Sequence, residues 1–223
     1  VGGHELAAEL TRELARLAAE LARELAAGLG RSSGGVPELV AEAGGELTRE
    51  LGGKTRKLTS ELGGKLVPAY VTLARHPASD ERAMAIEFLG GRSEPQAQDA
   101  VVAALGDRDP GVRRAALLAL PAGHAAAISA VAQKLGSEED WALRSSAAEA
   151  LGRIAAGSSD AKATTALTGA ATSDAYALVR ESAARALSLV NPEKARAVLE
   201  RLARSDEEPA VQRTARKLLS GEK

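Results

Sequence analysis

An arginine returns at a fixed place in a repeated helical block. A guanidinium is the side chain best built for a two-pronged hold on a carboxylate or phosphate. Aligned on it, the blocks read DERAMAIEFLG from Asp80, VRRAALLAL from Val112, LRSSAAEALG from Leu143 and VRESAARALS from Val179, while a fifth, VQRTARKLL from Val211, has Gln in the slot. The slot is Arg82, Arg113, Arg144, Arg180 and Gln212, at spacings of 31, 31, 36 and 32. Ala follows at the third place after it (Ala85, Ala116, Ala147, Ala183, Ala215) and Leu at the seventh (Leu89, Leu120, Leu151, Leu187, Leu219). Two chemistries fit: a track for the phosphates or carboxylates of a ligand, or ion pairs to acidic residues of the same chain. At about 100° per residue, positions −1, +3, +4 and +7 relative to the arginine share its side of the helix. Those positions are mostly apolar, so the arginines face the packing side, where a charge persists only if it is paired. Pairing within the array is the stronger reading.

Other chemistry finds little support. The three histidines, His4, His76 and His124, are scattered, His-x3-His spacing is absent, and there is no Cys. The expectation is therefore no metal site, no disulfide and no thiol nucleophile. The chain has no Gly-x-Ser-x-Gly, and its Gly-rich pieces lack the order of a phosphate-binding loop. Neither a cofactor nor an enzymatic activity is expected. The recurring Leu-Gly-Gly at 51–53, 62–64 and 89–91 invites a protease-site reading, and a helix-end glycine explains the last of them better. A net charge of −1 and 2% aromatic residues leave no footprint for nucleic acid. Trp141, the only Trp, opens a helix after an acidic turn and reads as a packing residue between units.

The elements that must position the arginines follow from composition and period. Ala, Leu, Glu and Arg dominate, which favours helix. Residues 4–29 read as one amphipathic helix in which Leu6 to Arg16 recurs as Leu17 to Ala27, a period of 11. Its stripe is Leu6, Leu10, Leu14, Leu17, Leu21 and Leu25, expected to pack on another helix, in this chain or in a second copy. A break follows at residues 30–37, then a segment interrupted by Gly-Gly pairs at 44–45, 52–53 and 63–64. From Leu66 the pattern becomes helix pairs: first helices at about 66–75, 94–105, 125–136, 161–172 and 193–204, second helices at about 80–90, 111–120, 141–155, 176–190 and 209–220. Turns rich in Asp, Pro and Ser join them, with Pro110 and Pro209 suited to first-turn positions. The expected division is residues 1–64, an N-terminal amphipathic helical extension with 11-residue repeats, and residues 65–223, the repeat domain. No apolar run approaches the roughly 20 residues that span a bilayer. A cytoplasmic location is favoured, and Val1 at the start leaves room for a removed signal peptide.

The pattern D-x-D-P-x-V-R-x-x-A-x-x-A-L of residues 107–120 resembles the HEAT repeat, particularly the short bacterial form also seen in phycobilisome lyases. The resemblance covers about residues 65–220 and implies an all-α fold, a right-handed α–α superhelix of about five pairs. It also implies a ladder in which turn aspartates, here Asp109, Asp140, Asp174 and Asp206, pair with the arginine series. Gln212 departs from the pattern as a terminal unit would. The function this implies is a non-catalytic scaffold or adaptor for protein–protein interaction, with second helices lining the inner curve. Positions +1, +2 and +5 from the arginine lie opposite the packing side. The candidate partner-binding residues are therefore Met84, Glu87, Arg114, Leu118, Glu149, Glu181, Arg185, Arg213 and Lys217. This row starts apolar, is mixed in the middle and ends basic. The alternative is a peripheral lipid- or membrane-associated protein acting through the N-terminal helices.

Overall fold

The chain divides into two units, Val1–Gly63 and Gly64–Lys223. A computed structural model describes residue 64 and residues 66–221, and within these every regular element is helical. The amphipathic helix expected over residues 4–29 and the glycine-interrupted segment before residue 64 lie outside the described residues.

Five helix pairs follow one another. Helix α1 covers residues 66–73 and pairs with α2, Ser79–Leu89. The second pair is α3, Pro95–Ala104, and α4, Pro110–Ala119. A 3-10 turn, Ala125–Ala127, leads into the third, α5, Ile128–Ser137, and α6, Trp141–Ile154. Then come α7, Ala161–Ser173, with α8, Ala177–Val190, and α9, Pro192–Ser205, with α10, Pro209–Ser220. These agree with the sequence-based boundaries to within a few residues, because the turns carry legible stop and start signals. Pro95, Pro110, Pro192 and Pro209 each occupy the first helical turn, where the missing N–H leaves no bond unmade. Asp109, Asp140, Asp160 and Asn191 cap α4, α6, α7 and α9 by accepting from first-turn backbone N–H groups.

One continuous apolar core runs from Val67 to Ala215. The repeated Ala at +3 is at most 1% exposed in all five units. A methyl there lets neighbouring helices approach closely. The repeated Leu at +7 is at most 2% exposed in the first four units, where burial stabilises by about 1.5–3 kcal/mol per side chain. Leu219, in the fifth, is 39% exposed, since no described unit follows to cover it.

The joints between units differ. A Cβ added to Gly90 would lie 2.9 Å from the Ala119 Cβ, and one added to Gly152 would lie 2.8 Å from the Ala186 Cβ. Glycine therefore permits the close crossing of α2 on α4 and of α6 on α8. Beside each crossing, backbone N–H groups satisfy the terminal carbonyls of the next second helix: Gly91 N donates to Ala119 O at 3.2 Å, Gly157 N to Leu189 O at 2.8 Å. The joint between the second and third units has Pro121 where the glycine would be, and a different device. There Arg153 reaches back from α6 and donates to Leu117 O at 2.7 Å and Leu120 O at 3.2 Å.

Helical glycines thus fall into two kinds, and substitution should separate them. Gly152→Ala drives a methyl into Ala186 and should destabilise by about 1–3 kcal/mol. Gly169→Ala, in α7 with nothing within 4 Å of the added Cβ, should stabilise by about 0.4–1 kcal/mol. Urea midpoints measure both, and changes of the same sign would overturn this account of the joints.

Candidate functional site

The arginine ladder is a repeated, four-donor clamp. In each of the first four units the Nη1 of the arginine donates to carbonyls of its own turn: Arg82 to His76 O and Pro77 O at 3.0 and 2.9 Å, Arg144 to Glu138 O and Glu139 O at 3.0 and 2.9 Å. Nε and Nη2 donate to a carboxylate of the following unit. Arg82 holds Asp107 at 2.8 and 2.7 Å, Arg113 holds Glu138 at 2.8 and 2.7 Å, Arg144 holds Asp174 at 2.7 and 3.0 Å, and Arg180 holds Asp206 at 2.9 and 2.8 Å. All four pairs are largely shielded, the Arg180–Asp206 pair most of all at 6% and 4% side-chain exposure.

This corrects the expected partners. Asp174 and Asp206 pair as the resemblance implied. Asp109 and Asp140 do not: they cap α4 and α6, and the carboxylates that take Arg82 and Arg113 are Asp107 and Glu138. The pairing residue always stands six places before its own unit's arginine slot. There its carbonyl serves its own arginine while its side chain serves the preceding one. Gln212 keeps the first half of the arrangement, its Nε2 donating to Asp206 O at 2.7 Å. His76 occupies the same place in the first unit, and its Nδ1 accepts from Ala78 N at 3.3 Å.

Charge pairing sets the protonation of the turns. The Arg82 guanidinium holds the Asp107 carboxyl below the ordinary aspartate range, outweighing burial. Burial pushes Asp174 and Asp206 upward. The hydrogen bonds from Arg144 and Arg180, those from Tyr176 N and Glu208 N, and the positive charges nearby more than offset it, so both are lowered. The ladder is thus internal, with each guanidinium already held at both ends and none turned to a ligand.

The face opposite the ladder is different. Met84, Glu87, Arg114, Leu118, Glu149, Arg185, Arg213 and Lys217 are exposed along it, and Glu181 is half-buried. Its middle is used in joints. Ser145 and Ser182 share a hydrogen bond at 2.9 Å and Ser182 donates to Glu149 at 3.3 Å. Arg185 pairs with Glu181, which also accepts from Thr214 at 2.8 Å. Extending the same ~100° wheel by a turn in each direction reaches positions −2 and +9. Asp80, Leu178 and Leu189 stand there, all exposed, and the sequence reading missed them. Met84, Leu118, Leu178 and Leu189 are 48%, 61%, 50% and 59% exposed. With Asp80 beside Glu87, the start of the row is acidic as well as apolar. Trp141 does contact the next unit, stacking on Tyr176 with ring centroids 5.7 Å apart, yet it keeps 39% of its surface open. The N-terminal set Leu6, Leu10, Leu14, Leu17, Leu21 and Leu25 lies outside the described residues.

Helix pairs joined side by side through one repeated clamp define an α–α solenoid. The chain belongs to the HEAT-repeat family: the family's repeats match residues 67–122 and 122–188, more than half of its length. No curated protein matches it. HEAT repeats commonly serve as protein-interaction scaffolds, and the fold is generally non-enzymatic. Among the described residues no helix is long and apolar enough to cross a membrane.

The ladder makes two measurable claims. Arg180→Ala strands Asp206 in a shielded turn and should cost about 3–5 kcal/mol. Arg185→Ala, one turn further along the same helix but on the open face, should cost under about 1 kcal/mol. Equal melting temperatures for the two variants would refute the clamp. The second claim concerns acid. Asp107, Asp174 and Asp206 are lowered from an ordinary value of 3.8. Unfolding them therefore takes up protons once the pH approaches that value. Their contribution is complete above the ordinary aspartate range and is lost as pH falls through the folded values. Urea midpoints should be level from neutral pH down to that range and then drop, and Asp174→Asn with Asp206→Asn should flatten the drop.

Proposed function

We propose that the solenoid is a non-catalytic scaffold that holds a segment of a partner protein along the face of its second helices, the inner curve of the array. One observation carries this reading. Met84, Leu118, Leu178 and Leu189 stand about half exposed on the side turned away from the core, in three of the five units. Large apolar side chains repeated on one face in this way mark interaction surfaces. Closer packing of second helices on one another than of first helices on one another supports placing them on the inside of the curve. The nine positions Met84, Glu87, Arg114, Leu118, Glu149, Glu181, Arg185, Arg213 and Lys217 belong to this surface, with Asp80, Leu178 and Leu189 added.

A second reading rests on the 11-residue repeats of residues 6–27, whose six leucines would suit a second copy of the chain or, less well, a lipid surface. Ala on the flanks of that stripe fits close helix–helix packing better than insertion among lipids.

Recovery of bound proteins from the natural source separates the two readings. With Leu118→Glu and Leu189→Glu together, partners retained by the unaltered full chain should be lost at unchanged melting temperature. Partners kept by that variant but lost with Leu14→Glu and Leu21→Glu would move the contact to the N-terminal residues, and flotation with liposomes at two salt concentrations would then tell lipid from protein.

A further inference from the structure

We infer that the segment held on the second-helix face is bipolar, with basic residues at the end that meets the first unit, apolar residues along its length and acidic residues at the end that meets the fifth. The inference rests on the reading of that face as the docking surface and names the chemistry of its occupant.

The charges decide it. At the first unit the face presents Asp80 and Glu87 around Met84. At the fifth it presents Arg213 and Lys217, one turn apart on α10. None of these four is in an ion pair with another described residue. The charges between them are of mixed sign and mostly engaged: Arg114 in the second unit and Glu149 in the third are opposite in sign, Glu149 accepts from Ser182, Arg153 donates to the end carbonyls of α4, and Glu181 and Arg185 hold each other. The field along the row therefore runs from two carboxylates to two cations that no described residue pairs. Leu118 lies one unit inward from the acidic end, and Leu178 with Leu189 one unit inward from the basic end. Charges of this kind orient a partner and set its register, and apolar anchors supply the contact area. A uniformly acidic or uniformly basic segment would be repelled at one end.

The length follows as well. Packed helices are spaced by about 8–10 Å, so five units present a row of roughly 32–40 Å. An extended chain at about 3.3 Å per residue covers this with about 10–12 residues.

The test uses the full chain and a displayed library of random 16-residue peptides. Enriched peptides are synthesised, labelled and titrated by fluorescence anisotropy against five proteins. These are the unaltered chain, Leu118→Glu with Leu189→Glu, Asp80→Lys with Glu87→Lys, Arg213→Glu with Lys217→Glu, and the fourfold charge exchange. Enriched sequences should carry Lys or Arg at one end and Asp or Glu at the other, with apolar residues between. Each end reversal should weaken binding roughly tenfold at low salt. The fourfold exchange should restore it, because the peptide can lie the other way round. Should Asp80→Lys disturb the first turn of α2, the neutral pair Asp80→Asn with Glu87→Gln replaces it, with a smaller loss expected. Peptides lost with Leu118→Glu and Leu189→Glu, but without polarity and indifferent to the end reversals, would overturn the bipolar occupant and leave the docking face standing. Peptides that bind the Leu variant as well as the unaltered chain would overturn the face itself. A library that yields no binder would overturn both.

Discussion

Everything in this array depends on one side chain reaching both its own turn and the carboxylate of the next. The guanidinium of each slot arginine ties down the turn of its own unit with one nitrogen and the carboxylate of the next unit with the other two. A turn is the worst place to leave carbonyls unsatisfied near a core, and a charge is the worst group to bury alone. The clamp solves both difficulties with the same five-donor fork, which a lysine could not do. Its consequence is spacing: with the turn fixed to its own helix and to the next turn, successive second helices are held at a distance where only Ala fits at +3 and where Leu at +7 fills the remainder.

That dependence explains what could be read from the residues. Arginine, alanine and leucine recur in register because each meets the same environment in the first four units, so the helix pairs, their boundaries and the packing side were legible. The partner of the arginine was harder. Three of the four turns that receive an arginine hold two or three acidic residues, and two roles there both suit Asp: capping the next helix and receiving the arginine. Asp109 and Asp140 stand four places before their slot, whereas Asp174 and Asp206 stand six before theirs, so the expected set mixed two offsets. The column at six, Asp107, Glu138, Asp174 and Asp206, is acidic throughout and was the signal available. Glu138 hides it, since the longer side chain breaks the Asp pattern while reaching the same guanidinium.

Other features left no periodic trace. Arg153 has no counterpart in other units, and nothing in its surroundings along the chain marks it as a donor to the carbonyls of a neighbouring helix. Gly152 and Gly169 look alike as glycines within helices; only the presence of Ala186 against the first and open space beside the second separates them. On the exposed face, +1, +2 and +5 were read because they follow the arginine within a turn and a half. Leu178, Leu189 and Asp80 needed the same arithmetic carried further, and they change the surface from one that begins apolar to one with opposite charges at its ends.

The joint between the second and third units stands apart. Its neighbours on either side in the chain are locked by bare backbone against methyl and by N–H groups bonded to helix ends. Here the second helices pack less closely, and the closure depends on Arg113 with Glu138 at one edge and Arg153 with the end of α4 at the other. The first of these recurs at every joint, so what sets this joint apart is that a long arginine side chain stands where the joints on either side of it press bare backbone against a methyl. The second and third units therefore meet less closely than the pairs on either side of them, and the fourth and fifth units meet just as loosely. Any bending between the second and third units would alter the distance between the acidic and basic ends of the second-helix face without disturbing the close crossings of α2 on α4 and of α6 on α8.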